Sequence, residues 1–377
     1  CGAQRRPGGL PDPRLGMTAL RLALASAVTA LLIVAGGVVA VRTSASPRTL
    51  AFISGGRSAS AAPAAVAVAP AVVAPASLGP RALPLSTPTS LDTALAAAGY
   101  RLPAGAGVYA AKITKEGGGL AYEDYQGGAG ALGTNFWPAS SIKVLAAIGA
   151  LEFVGQQGFT GAATVAFGNG APRTIRSIYD AAVRISDNAA YDALVEIAGL
   201  DYLNKEFLTP ARGFPVTVIQ RSYTVGGNLR SQPAMTITEG AKRVVIPARN
   251  GKVDTDCPQG QCSNLFEMSE SVRRLVLHNE IPEAERFKIA STDVIGLNSA
   301  LLGAEGWFEP AVARVLGNDA RIYGKPGQAP RRDCLDVTLI EGRNGQRILL
   351  SATVPERQGG CPALVNLATA VLKYLTD

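Results

Sequence analysis

The chain has 377 residues, 47% of them hydrophobic and 17% charged, with a net charge of +7. That length supplies at least one substantial core and allows two domains. The arginines are scattered and no zinc-finger or aromatic-basic pattern occurs, which argues against a nucleic-acid partner, whereas a basic exported protein beside anionic lipid or cell-wall polymer suits the charge.

Residues 1–16 read as a leader extension ahead of Met17, and 17–43 as a signal anchor or signal peptide. Leu22 to Val41 carries no charge over about 20 residues, enough to cross a bilayer. Arg5, Arg6, Arg14 and Arg21 precede it, so the positive-inside tendency keeps the N-terminus in the cytoplasm and sends the bulk of the chain out. The expected location is extracytoplasmic, in the periplasm or at the cell surface, with the hydrophobic helix as membrane partner. Residues 44–90 form an Ala/Pro-rich linker, whose regular prolines forbid a long helix and favour a semi-extended chain.

Residues 91–377 read as one domain. A helix is predicted over 91–100, then two strands, 107–113 and 119–125, around a Gly-rich turn. "NFWPASSIKVLAAIGALEFV" (135–154) gives a helix beginning near Ser140 that is apolar on every face, hence buried. Further helices are predicted around 174–184, 189–199 and 264–279. Between them, 213–250 contains strand-like segments resembling an inserted flap or hairpin. "CLDVTLIEG" and "QRILLSATV" flank the turn "RNGQ" as a hairpin, and "CPALVNLATAVLKYLTD" is the last helix. The pattern predicts an α+β fold, with one antiparallel sheet formed by both ends of the domain, flanking helices, and an all-helical lobe from the middle.

Cys257, Cys262, Cys334 and Cys361 are an even set, and "PQGQ" between the first two is turn-like. Two disulfides outside the cytoplasm are expected. His278 is the single histidine, so zinc and other metal sites are not expected. His278 itself is assigned to the surface or a helix end, without a catalytic part.

Lys143 raises a chemical question. A buried ammonium is costly. Placed one turn after Ser140 and lifted out of water, this amine has its pKa lowered, so it can accept the serine proton near neutrality. The free N–H groups of the first helical turn favour a developing oxyanion. Ser186, Asp187 and Asn188 precede a predicted helix and suit N-capping. Lys325, Pro326 and Gly327 suit a turn.

Taken in order, Ser-x-x-Lys, Ser-Asp-Asn and Lys-x-Gly resemble the penicillin-recognising serine hydrolases, most closely the class A β-lactamases. The resemblance covers about 91–377, leaving 213–250 unmatched. It implies Ser140 as the acylated nucleophile, Lys143 as its base, and Ser186 as the relay to the leaving nitrogen. It further implies that Asn188 binds the substrate amide and Lys143, and that Lys325 attracts the substrate carboxylate. The N–H groups of Ser140 and of Gln328, just past Gly327, would form the oxyanion hole. No cofactor is implied.

Two positions depart from the family. Pro326 replaces a hydroxyl residue that binds the substrate carboxylate, a hydrogen bond worth about 1.5–3 kcal/mol. The Glu-x-x-x-Asn loop that activates the deacylating water is missing; Tyr223 occupies the Glu position, with Glu239 a conceivable substitute. The expected activity is therefore an exported serine acyl-hydrolase acting on a β-lactam or related amide or ester, with efficient deacylation in doubt. The alternatives are a D-alanyl peptidase or transpeptidase acting on peptidoglycan peptides, and a slowly reacting penicillin or muropeptide sensor. Trp137, beside the nucleophile, either lines the cleft or fills the core.

Overall fold

A computed structural model describes Pro80, Arg81, Leu83 and residues 88–377, except 129–131, 133–135, 252–256, 258 and 330. The segments read as leader, membrane helix and most of the linker lie outside the described residues. At the end of that linker, Arg81 bonds Asp124 at 2.7 Å and Glu270 at 3.1 Å, and lies 3.9 Å above the Tyr122 ring.

The domain opens with β1 (Thr89–Ser90), α1 (Leu91–Ala97) and the hairpin of β2 (Gly107–Glu116) and β3 (Gly119–Gly128). A 3-10 turn, Ala139–Ile142, leads into α2 (Lys143–Gln156). Then come β4 (Thr164–Phe167), β5 (Arg173–Thr174), α3 (Ile175–Arg184) and α4 (Asn188–Ala198). Six short strands follow: β6 (Val218–Ile219), β7 (Ser231–Gln232), β8 (Met235–Glu239), β9 (Lys242–Ile246), β10 (Arg249–Asn250) and β11 (Gln261–Cys262). Three helices, α5 (Leu265–Val276), α6 (Ser291–Leu302) and α7 (Glu309–Leu316), precede the last strands. These are β12 (Arg321–Gly324), β13 (Gly327–Ala329), β14 (Asp333–Glu341) and β15 (Arg347–Pro355), closed by α8 (Gly360–Thr376).

The main sheet has the order β1-β3-β2-β15-β14-β12, with β13 also on β14. Both ends of the domain build it, as β2 pairs with β15 through Ala111 and Leu349. Strand alternation divides the core. Val108 and Ala110 face α8 through Leu364, Leu367 and Val371. Tyr109, Ala111 and Ile113 join the larger core, which holds α2 and α5. Helix α2 is buried on every face, as its unbroken apolar run requires.

The middle lobe differs from the all-helical expectation. β5-β4-β8-β9 form a four-stranded antiparallel sheet, because "MTITE" alternates with period 2 and its apolar face, Met235 and Ile237, joins the core. The strand expected over "FPVTVIQRSYTV" reduces to Val218–Ile219, paired with Gln261–Cys262. Helices α6 and α7 were not anticipated. Disulfides join Cys257 to Cys262 and Cys334 to Cys361. His278 lies just past the end of α5, half-buried.

Candidate active site

Ser140 lies in the 3-10 turn rather than in α2 itself. Pro138 opens that turn, accepting from Ser141 through both N–H (3.2 Å) and Oγ (2.6 Å). Ala139 takes φ 46°, the left-handed region that alanine avoids, and this kink presents the next residue, Ser140, to the cleft. Lys143 starts α2 one turn later and is fully buried.

The N-terminus of α4 supplies the partners of Lys143. Asp187 caps the helix, accepting from Ala190 N–H at 2.6 Å, so the N-cap role is real. Ser186 has φ 61°, which turns both its carbonyl and its hydroxyl toward Lys143. Lys143 Nζ donates to the Ser186 carbonyl oxygen, to Ser186 Oγ at 3.2 Å and to Asn188 Oδ1 at 2.8 Å. Burial and then nearby Lys325 lower its pKa to about 7, against the opposing pull of Asp187 and Asp192.

Lys325 joins β12 to β13 and is buried, which lowers its pKa to about 8 against the attraction of Asp336. Its N–H bonds the Val337 carbonyl oxygen at 3.0 Å. By strand alternation residues 326 and 328 turn their nitrogens the other way, so Pro326 removes no ladder bond and Gln328 N–H is left for the cleft. Gly327 allows close approach: a Cβ there would lie 2.9 Å from the Pro138 carbonyl oxygen and 2.9 Å from Leu335. A side chain at position 327 would push β13 away from the turn that carries Ser140.

Ser140, Ser186, Asn188, Lys325, Gly327 and Gln328 all line one cleft of about 650 Å³, with Lys143 buried beneath. Arg184, Ile185, Gly303, Glu305, Trp307 and Pro326 complete its rim. A larger hollow between β2, β12 and the β14–β15 turn is lined by paired ions such as Arg347–Glu341 and Arg343–Asp319, and by no serine or cysteine.

Neither a family model nor a curated protein matches the chain. Solved structures do. A class A β-lactamase from Mycobacterium abscessus has TM-score 0.53 at 16% identity, covering 76% of this chain and 99% of its own. A variant of the class A β-lactamase of the last common ancestor of Gram-negative bacteria has TM-score 0.54 at 18% identity, covering 77% and 100%. The fold is that of the β-lactamases. A PBP-A variant, solved as its acyl-enzyme with penicillin G, shares it at TM-score 0.53 and 15% identity, covering 78% of this chain and 99% of its own.

Within this β-lactamase fold, Glu239 is removed as a candidate base. Its carboxylate accepts from Thr160 N–H at 2.9 Å and Oγ1 at 2.6 Å, past the far end of α2. Fourteen helical residues place that end about 20 Å from Lys143. Tyr223 instead approaches the buried amine, with its ring centroid 5.4 Å from Lys143 Nζ.

Three residues near the site escaped the sequence reading. Asp192, one turn after Asn188, accepts from Tyr223 N–H at 2.8 Å, Thr224 N–H at 3.0 Å and Ser222 Oγ at 2.6 Å. Its signal was the i,i+4 spacing on one face of α4. Buried Asp336 accepts from the N–H groups of Trp307 (2.6 Å) and Phe308 (3.1 Å), fixing the loop that forms one cleft wall. Gln261 bonds Trp137 Nε1 at 3.1 Å from 124 positions away, and no local pattern announces that. Trp137 stands partly exposed, with Arg221 and Arg332 5.1 and 5.6 Å from its ring.

Proposed function

We propose that this chain is an exported serine acyl-hydrolase of the class A β-lactamase type, which forms a Ser140 ester with a β-lactam or related amide or ester and clears it slowly. The observation that carries this reading is the amine of Lys143, one turn after Ser140, buried and held by Ser186 and Asn188 of the same cleft, with its pKa lowered to about 7.

Neutral Lys143 takes the proton from Ser140 Oγ as that oxygen attacks the carbonyl carbon. The N–H groups of Ser140 and Gln328 receive the oxyanion. The proton then passes from Lys143 through Ser186 to the leaving nitrogen, and the C–N bond breaks. Asn188 binds the substrate amide and orients Lys143. Lys325 draws the substrate carboxylate, which Pro326 cannot bind by a hydroxyl. No metal or cofactor enters this route.

Slow clearance follows from what surrounds Lys143. The Tyr223 phenol has its pKa raised, chiefly by burial, and is no base, while Asp187 and Asp192 are occupied by backbone N–H groups. That environment also favours a second reading, a D-alanyl peptidase or transpeptidase acting on peptidoglycan stem peptides. Export and anchoring through residues 17–43 are part of the proposal, supported by the uncharged segment and by the two disulfides.

Labelling with a fluorescent penicillin tests it. Wild type should take up label and Ser140→Ala should not; a chase should show the adduct persisting for many minutes. Equal labelling of the two proteins would refute the assignment of Ser140.

A further inference from the structure

A buried bridge behind the nucleophile is left unused by the roles above. The Tyr223 hydroxyl lies 2.5 Å from the Ala139 carbonyl oxygen and 2.6 Å from Gln261 Oε1. Gln261 is fully buried, and the same oxygen accepts from Trp137 Nε1 at 3.1 Å. Its Nε2 donates to the Tyr191 hydroxyl, which donates in turn to the Arg221 carbonyl oxygen at 3.1 Å. Because an indole N–H only donates, the Gln261 oxygen faces Trp137 and its nitrogen faces Tyr191. The Tyr223 phenol has a single hydrogen, which it donates to the Ala139 carbonyl oxygen, while Gln261 Oε1 lies beside the phenol oxygen as a rival acceptor.

The bridge is held from both sides. Asp192 grips the backbone of Tyr223 and Thr224, and the Tyr191 ring lies against that of Tyr223 with centroids 4.6 Å apart. Gln261 is fixed by its pairing with Ile219, and its neighbour Cys262 is in the disulfide to Cys257.

The Ala139 carbonyl and the Ser140 N–H are two ends of one planar peptide. Whatever fixes the carbonyl therefore aims the N–H, and a donor on the carbonyl also polarises the amide. Ala139 needs such a partner, since its φ of 46° is unfavourable for a residue with a side chain.

We propose that Tyr223 is a positioning residue for the oxyanion hole, holding the Ala139–Ser140 peptide so that the Ser140 N–H points at the acyl oxygen. The inference rests on Ser140 being the acylated residue. The phenol transfers no proton; it works through the peptide it holds.

The test is Tyr223→Phe in the full chain, which keeps the ring and removes the hydroxyl. Acylation by fluorescent penicillin should slow by about 10–100-fold. A boronic acid, whose tetrahedral adduct fills the oxyanion hole, should lose affinity by a similar factor, while hydrolysed penicillin binds as before. The ascending limb of the pH–rate profile should not move, because Lys143 is untouched. Tyr223→Leu, which also lacks the hydroxyl, should change the same quantities in the same direction, and it replaces Tyr223→Phe should that variant not fold. A crystal structure of either variant should show the Ala139 carbonyl rotated away from its present direction. An unchanged carbonyl, or unchanged acylation and boronic-acid affinity, would overturn the proposal; so would equal losses of boronic-acid and product binding. Wild type that takes up no penicillin would refute the Ser140 reading instead, and the crystallographic comparison would still decide the role of Tyr223.

Discussion

Lys143 Nζ donates to Asn188 Oδ1 at 2.8 Å across 45 positions of sequence, joining the first turns of two different helices. That bond fixes the amine while leaving its lone pair, when neutral, free for the serine proton. The arrangement ties reactivity to an energetic penalty, because burying the amine is what lowers its pKa.

Lys143→Met should therefore abolish labelling and at the same time raise stability, on the order of 2 kcal/mol at pH 6–7. The sign follows from linkage. The folded side chain titrates near 7 and the unfolded one near 10.5, so the unfolded state holds the extra proton between those values. The penalty is complete below about pH 7 and fades as the pH climbs toward 10.5. Urea titrations of both proteins at several pH values should show the gap narrowing on the alkaline side. A variant less stable than wild type at pH 6 would contradict this account.

The rate of acylation should rise through pH 7 as Lys143 loses its proton, and fall through pH 8 as Lys325 loses the charge that attracts the carboxylate. Lys325→Arg should carry the plateau to higher pH. Stopped-flow labelling between pH 5 and about 10 checks both limbs. A profile flat across pH 7 would exclude Lys143 as the base.

Tyr223→Glu should shorten the life of the acyl-enzyme at least tenfold, as it sets a carboxylate near Lys143 where Tyr223 now presents a phenol. Acylation should slow in the same variant, because the donor to the Ala139 carbonyl is gone. The measurement is a chase of pre-labelled protein, and an unaltered half-life would show that position 223 does not control turnover.

Pro326→Thr should improve kcat/KM for carboxylate-bearing substrates by about tenfold or more, the worth of one hydrogen bond to a charged group. Methyl esters of the same substrates should be unaffected. Since residue 326 makes no ladder bond through its nitrogen, the melting temperature should hardly change.

Much of this was legible from residue order. The unbroken apolar run of α2 announced a buried helix, and the single lysine in it marked the position to which the cleft residues Ser186 and Asn188 turn. "RNGQ" announced the hairpin that closes the main sheet. Helix α6 was not legible: "STDVIGLNSALL" mixes Ser, Thr, Asn and Gly into its turns, so propensity is poor and its face is set by neighbours. The 3-10 conformation around Ser140 was also hidden, because a spacing of three suits both helix types and the carbonyl of the kinked Ala139 is bonded by Tyr223, 84 positions later.

The pairing of β2 with β15 has a consequence for how the chain reaches its native state. Residues near 110 find their strand partner only in residues near 350, so the central ladder cannot close until nearly all of the polypeptide is available. Such distant closure makes for slow folding and leaves the edges of the early hairpin unprotected meanwhile. Removing α8 would strip one whole face of that sheet, and the shortened chain should aggregate rather than persist as a smaller working unit.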